Sequence, residues 1–230
     1  MFENFGHQLY KNIIEADRWL LYLKGAGVTI LIAVGAIAIG IILGGLVAVI
    51  KVKAKSNRML KPVEMICDVY ITVIRGTPVV LQVLICFLII FAAVPVKYNI
   101  LVASIAFGIN SGAYVAEIIR AGIQAVDIGQ TEAGRSLGLT DNQTMSKIVL
   151  PQAIKNILPA LGNELIVLVK ETAVASYMAV QDLTKVATAI QARTYSALVP
   201  LMTAAMIYLI MVMAMSWGLR KLERRLARGE

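Results

Sequence analysis

Glu132-Ala133-Gly134-Arg135-Ser136-Leu137-Gly138, nine further residues, then Ile148-Val149-Leu150-Pro151: this polar stretch decides how the chain is read. It lies between long apolar segments, yet it has the pattern of two short surface helices split by a glycine. Asp127 with Gln130 three residues on is a variant of the capping box. Ala133, Arg135, Ser136 and Leu137 suit a helix, and Gly138 suits its end. Thr140 with Gln143 forms a second capping box, and Pro151 marks the next boundary. A doubly capped polar hairpin over 127–150 must lie in water or against a partner.

The surroundings of the hairpin are built for lipid. Of 230 residues, 59% are hydrophobic, against roughly 45–50% in a soluble domain. Long apolar runs predict an all-α integral membrane protein with about five transmembrane helices. The formal net charge of +8 reads as basic loops on one side of a membrane rather than as a nucleic-acid footprint. Cys67 and Cys86 both sit in apolar sequence, without a second Cys or a His at ligand spacing. They read as small buried hydrophobes. With one histidine, His7, no HExxH and no plausible Ser/His/Asp set, the chain carries no catalytic constellation and no metal site.

Segment 1–23 mixes Asn12, Glu15, Asp17 and Arg18 with Leu9, Tyr10, Ile13, Ile14 and Trp19, which predicts an amphipathic helix at the membrane surface. A membrane domain follows over 24–222, and a basic tail over 223–230. No charged residue occurs in the 26 positions between Lys24 and Lys51, enough for a first span. Gly35, Gly40, Gly44 and Gly45 on it predict close packing of one face on a neighbour. Lys51, Lys53, Lys55, Arg58 and Lys61 then come without an acid between them, so this loop should be cytoplasmic and the N-terminus outside. Residues 62–95 allow one helix kinked at Pro78, or a tilted helix to Ile74, a break at Gly76-Thr77-Pro78 and a span from Val79. Spans at 99–118, 152–176 and 195–217 complete the count, with amphipathic 177–194 at the outer surface or dipping into it. Inner segments then hold fourteen basic residues and outer segments six, and the C-terminus lies inside.

The motif spacing resembles the signature loop, the EAA motif, of permease subunits of ATP-binding-cassette importers. The usual form has alanine where this chain has Gly134. Arg75-Gly76-Thr77-Pro78, Ser111-Gly112-Ala113-Tyr114, Glu117, Arg120-Ala121-Gly122-Ile123 and Gly162-Asn163-Glu164 resemble the polar amino acid uptake branch. The resemblance implies a type I importer permease fold with a cytoplasmic coupling helix, in a bacterial inner membrane. It implies that Glu132, Ala133, Gly134, Arg135, Leu137 and Gly138 dock on an ATP-binding subunit. It also implies a second permease subunit, identical or paralogous, and an external solute-binding protein that delivers a basic or polar amino acid. No GxxxxGK[ST] phosphate loop occurs, so ATP and Mg would be bound by the partner and this chain would hold no cofactor.

Ionisable and small polar residues in apolar sequence are the candidates for the substrate path: Glu164, Asn163, Arg75, Asp68, Ser111, Tyr114 and Glu117. A charge at a helix centre costs about 2.5–3.5 kcal/mol on insertion scales, so each should face a partner or a wet cavity. An internal ion pair, Glu164 with Arg75, is the alternative. Lys170-Glu171-Thr172 reads as an interface cap or a gate. The competing functional reading is a proton-coupled secondary carrier using Glu164 or Asp68.

Overall fold

The computed structural model describes residues 2–54 and 57–227, which are helical almost throughout. Lys55 and Arg228, assigned above to basic cytoplasmic segments, lie outside the described residues, as does the end of the tail. The N-terminal segment is not one amphipathic helix. Helix α1 (Phe2–Leu9) runs into a π turn at Tyr10–Ile14 and a 3-10 turn at Glu15–Asp17, where Ala16 and Asp17 have φ of 55° and 52°. Helix α2 (Arg18–Ala54) then starts six residues before the expected Lys24. Arg18 sits in its first turn and donates to the Lys11 carbonyl, so its charge is spent on the kink rather than marking the edge of a loop.

The centre of the fold is the pairing of α2 with α5 (Asn99–Gln124). Small residues face each other along it: Gly40 meets Ser111, and Gly44 meets Gly112 and Ala116. A Cβ on Gly44 would stand 2.7 Å from the Ala116 nitrogen and the Gly112 oxygen, so backbone touches backbone there. This is how helices associate in lipid, where no hydrophobic force drives them together and close van der Waals contact does. Gly45 faces open space and takes no part. Because contacts advance together along both helices, from Gly35 and Ser104 to Gly44 and Ala116, α2 and α5 run in the same direction.

The return path between them is α3 (Lys61–Gly76) and α4 (Val79–Ile85) with a π turn to Ile90, bent by 111° at the Gly76–Pro78 break. The single kinked helix is thus excluded. Pro78 lacks an N–H and keeps Thr77 extended, with φ −124° and ψ 151°, as the residue before a proline prefers.

Helix α6 (Ile128–Ser136), α7 (Asp141–Thr144) and a π turn at Met145–Val149 lead into α8 (Leu150–Glu171). Pro151 is no boundary. The backbone stays helical from Asp141 to Glu171, and the Leu150 N–H bonds to the Met145 carbonyl. A wider turn ahead of a proline relieves the clash between its ring and the carbonyl four residues back. A 3-10 segment, Thr172–Met178, then α9 (Leu183–Thr194) and α10 (Leu198–Ala227), complete the chain. The α9 segment is half core. Leu183, Val186, Ala187 and Ile190 are buried against Tyr22 and Ala26 of α2 and Ala204 of α10.

By length and apolarity alone, three helices among the described residues could cross a membrane, or four counting the bent pair as one span. Helix α8 is not among them because Asn156, Pro159, Asn163, Glu164, Lys170 and Glu171 interrupt it. Of these, Glu164 and Glu171 are half-buried, whereas Asn156, Asn163 and Lys170 are exposed.

Candidate functional site

The hairpin is held by its own backbone chemistry. Asp127 caps α6, its Oδ1 accepting from the Gly129 N–H at 2.7 Å. Gln130 does not close the predicted box; its side-chain oxygen accepts from Gln152 at 3.1 Å and ties α6 to α8 instead. At the other end, the Gly138 N–H bonds the Arg135 carbonyl at 2.9 Å and the Leu139 N–H bonds the Gly134 carbonyl at 3.1 Å. That is the Schellman pattern, and it needs the left-handed φ of +81° that Gly138 supplies. The Thr140–Gln143 box forms as expected, with both reciprocal bonds present. An Arg135–Asp141 ion pair crosses the turn.

Gly134 is the hinge of the packing. It is buried, and a Cβ there would lie 2.8 Å from Ile148 Cδ1 and 2.9 Å from Thr144 Cγ2. The two arms can therefore touch only because this residue is small. The rest of the helix is bare: Glu132 and Ala133 are exposed, and Ile128 and Leu137, at its two ends, are 74% and 80% exposed. A short capped helix with a large exposed aliphatic side chain at each end, and a Glu132 carboxylate that makes no ion pair among the described residues, gains by being covered. The hairpin shares a cleft with Val52, Lys53, Asn57 and Leu60, so it lies at the same end of the bundle as the basic loop.

Polar residues inside the bundle form two groups. Near the hairpin end, Glu117 accepts from Arg120 at 2.7 Å and pairs with Arg75 at 3.5 Å, while the Arg75 guanidinium lies 5.6 Å from the Tyr114 ring centre. Asp68 pairs with Lys51 at 2.5 Å and is exposed. Asp68 and Arg75 are therefore exposed ion-pair members on α3, and such pairs contribute about 0–1 kcal/mol each.

Deeper, the Ser111 hydroxyl of α5 donates to Glu164 Oε1 of α8 at 2.7 Å. Among the described residues Glu164 has no ion-pair partner, and the proposed pairing with Arg75 does not occur. Asn163 beside it is exposed. Glu171 lies seven residues on, along the same face of α8. Among the described residues Glu164 thus presents a carboxylate without a cation to match it, whereas Glu171 has Lys170 beside it; the former is a setting suited to an ammonium or guanidinium group.

Gln82 escaped the sequence reading. Its amide donates to the Ile74 carbonyl at 2.7 Å, the Thr77 carbonyl at 3.0 Å and the Thr77 hydroxyl at 2.7 Å, and its oxygen accepts from Asn110 at 2.8 Å. It closes the carbonyls left open by the break and pins the bend to α5. The signal was present as the lone amide in Val79–Ile85, an otherwise apolar run. Gln82→Leu is expected to destabilise the chain by about 1–3 kcal/mol, the cost of stranding buried polar groups. Thermal unfolding in lipid discs measures this, and an unchanged midpoint contradicts the role.

Residues 36–228 match the family described as binding-protein-dependent transport system inner membrane component. A protein of Rickettsia bellii provisionally named glutamine transport system permease is 40% identical over 220 residues, 95% of this chain and 99% of that one. The arginine transport system permease of Bacillus subtilis is 38% identical over 209 residues, 89% of this chain and 91% of its own length. Among solved structures, an amino acid ABC transporter with histidines superposes with a TM-score of 0.82 at 42% identity, covering 89% of this chain and 94% of the other. The inward-facing methionine transporter MetNI, at 18% identity and a TM-score of 0.75 over 93% of this chain and 99% of that one, shares the fold. With the family match covering most of its length, the chain belongs to the family of binding-protein-dependent transport system inner membrane components.

Proposed function

We propose that this chain is the membrane-spanning subunit of an ATP-driven amino acid importer. It forms half of a translocation path and is coupled to ATP hydrolysis in a separate, cytosolic subunit that binds ATP and Mg. The observation that carries the reading is the hairpin: a doubly capped short helix whose Ile128, Glu132 and Leu137 are all left exposed at the basic end of the bundle. With Lys51, Lys53, Arg58 and Lys61 placed in the cytoplasm, the hairpin faces the ATPase and the N-terminus faces outward. The second half of the path comes from another permease subunit, identical or paralogous.

The substrate is a basic or polar amino acid. Glu164, backed by Ser111 and beside Asn163, supports this because it offers an ammonium or guanidinium group an unpaired acceptor. Arg75, Tyr114 and Glu117 form a tie between α3 and α5 that moves with the path rather than meeting the substrate. Glu164→Gln is expected to raise the half-saturating concentration for a basic amino acid about tenfold. That equals 1.4 kcal/mol, at the low end for a charge-assisted hydrogen bond. Uptake into proteoliposomes that contain the ATPase subunit measures it. Unchanged uptake assigns Glu164 to the fold alone. Uptake driven by a pH gradient without ATP would favour the secondary carrier over the importer.

A further inference from the structure

Tyr195 closes α9 in the left-handed conformation, with φ 53° and ψ 28°. A bulky residue is an outlier there, and glycine is the usual occupant of such a helix end. Strain of this kind persists where packing compensates for it, but the Tyr195 side chain is 96% exposed. Among the described residues it makes no hydrogen bond and no ring contact. The residue costs the fold something and returns nothing inside the chain. A strained, exposed side chain points to a role outside the chain.

The setting is rigid. Thr194 beside it is buried, and its hydroxyl donates to Asn12 Oδ1 at 2.7 Å; fully buried Asn12 in turn donates to the Gln8 carbonyl at 2.8 Å. The N-terminal turn, with positive φ at Ala16 and Asp17, thus backs the end of α9. Arg193 is exposed next to it. Tyrosine and arginine are the residue types that anchor protein interfaces.

The position is at the far end from the hairpin. Helix α9 runs against α2 from Thr29, which accepts from the Leu183 N–H, toward Tyr22 and Ile190. The hairpin packs near Lys53. The 31 residues from Tyr22 to Lys53 span about 46 Å of helix, more than the roughly 30 Å hydrocarbon layer. Tyr195 therefore clears the apolar core of a membrane that has the hairpin on its other side.

Building on the functional reading above, we infer that Tyr195, with Arg193, is a docking anchor for the soluble solute-binding protein on the outer face. The partner presents a pocket for an aromatic ring and an acidic rim for the guanidinium. The side chain is held away from its own chain so that it can enter that pocket without rearrangement, which lowers the ordering cost of docking.

The test uses the complete complex with its ATPase subunit in lipid discs, probed with a panel of purified amino acid-binding proteins. Tyr195→Gly is expected to weaken docking of the responsive binding protein at least about tenfold. It is also expected to leave the thermal midpoint unchanged or raise it by about 2–4 °C, because glycine relieves the strain. A photo-reactive phenylalanine analogue at position 195 is expected to cross-link to that binding protein. Equal docking by Tyr195→Gly, cross-links to lipid alone, or lost docking together with a lowered midpoint overturns the assignment. A parent complex that docks none of the panel overturns the importer reading itself and the assignment with it.

Discussion

Gly134→Trp should reduce ATP-driven uptake at least about tenfold while the chain still inserts and folds, since a loss of 1.4 kcal/mol in a coupling equilibrium is already a factor of ten. The reason is geometric. The first added carbon would stand 2.8 Å from Ile148 and 2.9 Å from Thr144, and an indole has nowhere to go between the two arms. Overpacking of this kind costs about 1–3 kcal/mol where the surroundings cannot yield. The arms separate, and α6, with its exposed Ile128, Glu132 and Leu137, no longer holds its place against the ATPase. Gly134→Ala is the control. Its single methyl meets side-chain atoms alone, the tip of Ile148 and the methyl and hydroxyl of Thr144, which have to shift to admit it, and helix propensity gains about 1 kcal/mol. Alanine is also the residue that the motif usually carries there. The pair is read by uptake and by retention of the ATPase subunit through purification. Equal coupling in Gly134→Trp and the parent contradicts the role of the hairpin.

Gly44→Val should have the largest effect on stability. Here the added carbon would meet backbone, the Ala116 nitrogen and the Gly112 oxygen at 2.7 Å, and the Val115 Cβ at the same distance. Backbone atoms of a helix cannot rotate aside as a side-chain tip can, so α2 and α5 must move apart along their length. The contacts of Gly40 with Ser111 then open as well, and the Ser111–Glu164 hydrogen bond loses its support. We expect a loss of at least about 3 kcal/mol, the upper end of ordinary overpacking costs, seen as little folded protein in mild detergent. Gly45→Val, one residue on but facing open space, should behave as the parent. Similar yields and thermal midpoints for the two variants would falsify the close α2–α5 crossing.

The sequence showed the small-residue face of α2, a break or kink at Gly76-Thr77-Pro78 and the Thr140–Gln143 cap because each rests on local chemistry: close approach, a missing N–H, a side chain bonding its own backbone. It could not show that Arg18 turns back to the Lys11 carbonyl and lets α2 begin early. Nor could it show that a π turn at Met145–Val149 carries the helix through Pro151. Both outcomes depend on where a freed carbonyl or a long side chain finds its partner in three dimensions. Candidate residues show the same limit. Composition marked Glu164, Arg75, Asp68 and Glu117 equally as ionisable groups in apolar sequence. The bundle sorts them: Arg75 and Glu117 pair across α3 and α5, Asp68 reaches Lys51, and Glu164 is left with a hydroxyl. Gln82 was overlooked because one amide in an apolar run carries no pattern, although the bend rests on its hydrogen bonds.

The account stands most directly on the claim that this chain is driven through its hairpin by a separate ATPase. The measurement is ATP hydrolysis by the complex in lipid discs, with and without a substrate-loaded binding protein, for the parent chain and for Gly134→Trp. The account predicts stimulation of the parent by one amino acid class, and a Gly134→Trp complex in which that stimulation is gone. Stimulation that survives Gly134→Trp, or transport that proceeds without any ATPase subunit, contradicts it.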